Sequence, residues 1–127
     1  MDDRVRLNYA IIFVSDMARS VSFYRDVFGL PLKFESPEWT EFITGGATLA
    51  LHLSEPTDQE KLPSGATASG QCRPGFSVQN LDEFHSRVLE RGIACVERPK
   101  DVFGTRIAQY SDPDGVVLSV SEGEGGT

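Results

Sequence analysis

The chain offers few side chains able to do chemistry, and their spacing narrows the choices. Cys72 and Cys95 lack the paired spacing of a metal motif, and as reduced thiols they are expected to be plain packing residues. His85 falls beside Leu81 and Val88 and is expected to be structural or exposed. His52 is either a hydrogen-bonded or surface histidine or part of a site. Asp112-Pro113-Asp114-Gly115 looks like the start of a calcium loop, but the later ligand positions are missing and the residues suit a turn. There is no phosphate-cradling Gly loop, no nucleophile elbow and no HExxH.

A net charge of −7 argues against a nucleic-acid backbone as partner, since that needs clustered Lys and Arg. The acidity serves solubility or suits a cationic ligand. Met1 is followed by Asp2 and Asp3, unlike a secretory signal, and no apolar run approaches the roughly 20 residues that span a bilayer. No membrane partner and a cytoplasmic location are therefore expected.

The elements that must position these residues repeat. Tyr9 to Val14 form a continuous apolar run, as in a strand covered on both faces. Ser15 or Asp16 can cap a helix, Met17, Val21, Tyr24 and Phe28 make one helical stripe, and Gly29 suits the residue after its end. A shift of 64 residues carries Val14-Ser15-Asp16-Met17 onto Val78-Gln79-Asn80-Leu81, with Phe84, Val88 and Gly92 following. A shift of 69 carries Gly46, Leu49 and Leu51 onto Gly115, Leu118 and Val120. Such self-similarity indicates a duplicated strand–helix–three-strand unit.

One 127-residue domain is expected, with modules over about 6–54 and 71–122. Helices are expected over about Met17–Phe28 and Leu81–Arg91. The later strands are expected at about Pro31–Glu35, Trp39–Thr44 and Thr48–Ser54, then Ala94–Glu97, Thr105–Ser111 and Val116–Ser121. The polar segment Glu55–Gly70 reads as the link and Glu122–Thr127 as a frayed tail.

Two stretches carry a family resemblance. Val14-Ser15-Asp16 with Arg19-Ser20 and Phe23-Tyr24-Arg25-Asp26-Val27-Phe28-Gly29-Leu30 is one. Phe103-Gly104-Thr105-Arg106 followed by Asp112-Pro113-Asp114-Gly115 is the other. Together they resemble the glyoxalase/bleomycin-resistance/dioxygenase (vicinal oxygen chelate) superfamily, in pattern nearest its metal-free bleomycin-resistance-like members. The resemblance implies an α+β fold of two βαβββ modules forming a half-open, eight-stranded mixed-sheet cup around one site. In metal-dependent members His, Glu or Gln hold a divalent ion there. Carried over one at a time, those positions fall on Tyr9, Ala50, Arg73 and Ser119. None is a good ligand, and Arg73 would set a fixed positive charge in the ion's place. No metal and no cofactor are therefore expected, although a two-residue slip would bring His52 near the site.

Strand alternation then sorts the lining of the cup. Tyr9 shares a face with Ile11 and Phe13, Ala50 with Thr48 and His52, and Trp39 with Glu41 and Ile43. In the second module Arg73 goes with Gly75 and Ser77, and Ser119 with Val117 and Ser121. For the strand Thr105–Ser111 the family pattern favours Ile107 and Gln109, the alternative being Arg106, Ala108 and Tyr110. The expected ligand-binding set is Tyr9, Phe13, Trp39, Glu41, His52, Arg73, Phe103, Gln109 and Ser119. Trp39 could instead be packing or a dimer contact, and Arg73 and Glu41 could pair with each other. The reading is a metal-independent protein that binds a small molecule, a drug or metabolite, as a homodimer. The alternatives are a metal-dependent glyoxalase-like lyase, isomerase or dioxygenase, and a structural member without a site.

Overall fold

The computed structural model describes residues 5–54 and 72–123. The first module runs β1 (Tyr9–Val14), α1 (Met17–Ser22) continued by a π-helical turn (Phe23–Phe28), then β2 (Leu32–Glu35), β3 (Trp39–Phe42) and β4 (Thr48–Leu53). The second repeats the plan as β5 (Gly75–Val78), α2 (Leu81–Glu90), β6 (Ala94–Val102), β7 (Thr105–Ser111) and β8 (Val117–Glu122). The eight strands form two mixed four-stranded sheets, ordered β1-β4-β3-β2 and β5-β8-β7-β6. In each the opening strand lies parallel to the last strand of its own module.

The helix caps are of the expected kind. The Asp16 carboxylate accepts from the Arg19 N–H at 3.1 Å, and the Asn80 side chain from the Glu83 N–H at 3.0 Å. Gly29 closes the first helix at φ 98°, a left-handed geometry costly for a residue with a Cβ. The helix differs from the expected single α-stretch in its second half. The π-helical turn brings residues five apart over one another, so Phe23 stacks near Phe28 at 6.3 Å while Tyr24 stays buried beside them.

The core lies on the helix side of both sheets. Ile12, Val14, Phe42, Leu49 and Leu51 meet Met17, Val21 and Tyr24, and Leu81, Phe84 and Val88 meet Ala108, Tyr110, Leu118 and Val120. Phe28 joins the halves, with ring centroids 4.9 Å from Phe76 and 5.4 Å from Phe84. His85 is structural here, its Nδ1 2.9 Å from the Tyr110 hydroxyl.

A polar latch also ties the modules. The Tyr24 hydroxyl donates to the buried Asp112 carboxylate at 2.7 Å, and the backbone N–H groups of Asp114 and Val116 donate to the same residue. Burial pushes the Asp112 carboxyl up, against the lowering effect of those three donors. Burial and the neighbouring Asp112 also hold the Tyr24 phenol well above its ordinary range. Asp114 accepts from the Ser15 N–H and hydroxyl and from the Arg19 guanidinium. The Asp112–Gly115 stretch is thus a turn whose carboxylates are engaged within the protein.

Some sequence expectations are corrected. β6 runs on to Val102 instead of stopping near Glu97, because Pro99 sits on an edge strand at a register shift between Glu97 and Lys100, where a missing N–H is tolerated. Glu122 is not frayed: it pairs with Val78, and its carboxylate accepts from the Leu81 N–H at 2.9 Å. Cys72 and Cys95 are exposed instead of packed, Cys72 ahead of β5 and Cys95 on the edge strand β6. The expected link Glu55–Gly70 lies outside the described residues.

Candidate functional site

The face of the first sheet turned away from the helices is unusually apolar for a surface. Tyr9, Ile11 and Phe13 alternate with the buried Ile12 and Val14, and Tyr9 and Phe13 are 52% and 55% exposed. The register brings the rows together as expected: Tyr9 lies opposite Thr48, Ile11 opposite Ala50 and Phe13 opposite His52, while Trp39 lies opposite His52 and Glu41 opposite Ala50. A cleft of about 490 Å³ opens on this face. Tyr9, Trp39 and Glu41 line it together with the small, fully buried Ala50 and the flanking Asn8, Lys33 and Thr48.

The aromatic wall is set edge to face, Tyr9 and Trp39 having ring centroids 6.3 Å apart at 83°. Trp39 is anchored from two sides. Its backbone exchanges hydrogen bonds with the Ser36 hydroxyl, and its indole Nε1 donates to Glu41 Oε2 at 2.8 Å. The i,i+2 spacing makes that second bond local, since the two residues point to one face of β3. Lys33 Nζ stands 3.7 Å from the other Glu41 oxygen. His52 continues the wall, 5.9 Å from Trp39 and 5.5 Å from Phe13 between centroids, with its Nδ1 at 2.8 Å from the Leu53 carbonyl.

Five of the nine expected residues, Tyr9, Phe13, Trp39, Glu41 and His52, therefore share one face. The other four do not join them. Gln109 and Ser119 lie opposite each other in the second sheet, which fixes Ile107 and Gln109 as the outer row and leaves Ala108 and Tyr110 in the core. Phe103 stands fully exposed at the tip of the β6–β7 hairpin. Arg73 precedes β5, is exposed, and makes no ion pair among the described residues. Glu41 is partnered by Trp39 and Lys33, so in place of the alternative Arg73–Glu41 pair it makes contacts within the first module. Lys33 and Asn8 were missed. Lys33 lies at a register shift in β2 that defeats alternation, and Asn8 precedes β1 and gave no periodic signal.

A family model for the glyoxalase/bleomycin resistance protein/dioxygenase superfamily matches residues 6–120. The chain belongs to this superfamily. Among its relatives is a metallothiol transferase, FosB of Shouchella clausii, 33% identical over 127 residues that cover 92% of this chain and 80% of that protein. The phenazine antibiotic resistance protein EhpR of Enterobacter agglomerans is 28% identical over 115 residues, covering 89% of this chain and 88% of that one. The solved structure of TnmS3, an antibiotic-binding protein of Streptomyces sp. CB03234, superposes with a TM-score of 0.75 at 25% identity, covering 98% of this chain and 100% of the other.

The positions that the resemblance assigns to a metal, Tyr9, Ala50, Ser119 and Arg73, offer a donor set that does not fit a divalent ion. Tyr9 and Ala50 sit on the first sheet, Ser119 on the second and Arg73 outside both. Among the described residues no three His, Cys, Asp or Glu side chains cluster as ligands would. Nor is any helix of the described residues long and apolar enough to cross a membrane.

Proposed function

We propose that this protein binds a flat small molecule without a metal ion, sequestering a drug or metabolite in the cytoplasm. The observation that carries the reading is the cleft of about 490 Å³ walled by the Tyr9–Trp39 pair, on the face that holds Tyr9 and Ala50, two of the positions the resemblance assigns to a metal. Aromatic walls with a few fixed polar groups suit such ligands. The likeness to antibiotic-resistance and antibiotic-binding proteins supports the same reading. We further propose a homodimer, in which a second copy covers the exposed Tyr9–Ile11–Phe13 row and brings Phe103, Gln109 and Ser119 toward the cleft.

The 33% identity to a metallothiol transferase favours a second reading, a metal-dependent enzyme. Elemental analysis of protein purified without chelator separates the two. Less than about a tenth of an equivalent of Zn, Ni, Mn or Fe is expected, because a site needs at least three protein ligands. One metal per chain, lost on chelation, would establish the enzyme reading instead.

A further inference from the structure

The charge that the ligand carries is written in the way Glu41 is held. We propose that the cleft selects flat aromatic ligands bearing a positive charge, with Glu41 as the specificity-determining residue. This rests on the reading that the cleft binds small aromatic molecules, and it adds the sign of their charge.

The Glu41 carboxylate is fixed, its Oε2 held by the Trp39 indole at 2.8 Å, and its side chain is only 28% exposed. An ionised carboxylate offers about four acceptor sites, and the indole uses one. A ligand lying on the wall would strip water from the remainder, so it must return a donor or a positive charge. Lys33 cannot fill that role well. It sits on the edge strand β2, its side chain is 52% exposed, and its ammonium stands 3.7 Å away. Its long stem lets it withdraw into water when the cleft fills, whereas the shorter, indole-bound carboxylate cannot.

Two further features point the same way. An aromatic face carries negative potential and attracts cations, and the edge-to-face Tyr9–Trp39 pair lines the cleft. The net charge of −7 raises the local concentration of cationic molecules. Arg73, the residue that would have argued for an anion, does not line the cleft.

The test uses three probes of one ring size in calorimetric titration at neutral pH: proflavine as cation, acridine as neutral ring and acridine carboxylate as anion. Proflavine should bind at least about tenfold more tightly than acridine carboxylate, a margin of the order expected for one desolvated cation on an aromatic wall. Glu41→Gln, whose amide oxygen can still accept from Trp39, should remove most of that margin. Glu90→Gln, the same charge change on an exposed position of α2, should leave it intact. Equal binding of all three probes, tighter binding of the carboxylate, or equal effects of the two substitutions would overturn the proposal and leave the aromatic cleft standing. Failure of every probe to bind would overturn the aromatic reading and this inference together.

Discussion

Asp112 shows how one side chain can oppose the usual effect of acid. Most carboxylates in folded proteins are held below their ordinary range and lose stability on protonation. Asp112 is pushed up by burial, with the Tyr24 hydroxyl and two backbone N–H groups offsetting part of the rise. A carboxyl raised in the folded state contributes stability that is complete below its unfolded value and is lost as pH rises through its folded one. Asp112→Asn removes that titration while keeping an acceptor for the backbone donors. Urea unfolding of both proteins should show the wild type gaining on the variant between about pH 7 and about pH 4. A constant difference across that window would mean that burial does not govern this group. The pairing with Tyr24 was not legible in the sequence, because the partners are far apart in the chain and meet only when the modules dock. The Asp-Pro-Asp-Gly turn itself was legible, being local chemistry.

Among the elements, those with local signals emerged where expected, and the misjudged stretches depend on neighbours. The caps Asp16 and Asn80 and the stop Gly29 follow from short-range hydrogen bonding and backbone sterics. The length of β6 follows from its place at a sheet edge, which a reading of Pro99 alone cannot supply. Its hairpin to β7 turns through Phe103 at φ 51° and Gly104 at φ 84°, both left-handed. Such two-residue turns favour Asn before Gly, and a bulky residue there is strained. Phe103→Asn should therefore raise stability by about 1 kcal/mol, read as a higher midpoint in thermal unfolding. The π-helical turn makes the opposite prediction for Phe28, the ring that joins both halves of the core. Phe28→Ala should cost about 3–5 kcal/mol in urea unfolding, as for other large aromatic truncations.

At the level of the whole molecule, the duplication was the most legible property. The shifts of 64 and 69 residues reappear as hydrogen-bonded register: Ile11 opposite Ala50 becomes Gly75 opposite Ser119, and Phe13 opposite His52 becomes Ser77 opposite Ser121. Which outer residues gather into one cleft was not legible, since strand alternation assigns faces but not the relative placement of two sheets. The exposed Tyr9–Ile11–Phe13 row leaves this face costly to keep in water, and among the described residues β2 and β6 are sheet edges. Sedimentation at micromolar concentration should report a dimer. Ile11→Lys should shift it toward monomer with an unchanged far-ultraviolet circular dichroism spectrum. A wild-type monomer would count against the second copy as cover.

The repeated register has a stoichiometric consequence. The same backbone frame occurs twice in each chain, but its outer positions are furnished only once. Where the first frame carries Ile11, Phe13, Ala50 and His52, the second carries Gly75, Ser77, Ser119 and Ser121. The second frame is a blank of the first, presented in the same solution and at the same concentration. Occupancy should therefore saturate at one molecule per polypeptide, whatever the number of copies in the assembly. The blank also supplies a place to rebuild recognition, since Gly75→Ile and Ser77→Phe would transfer two of the wall's apolar positions onto strands that already pair in the matching register.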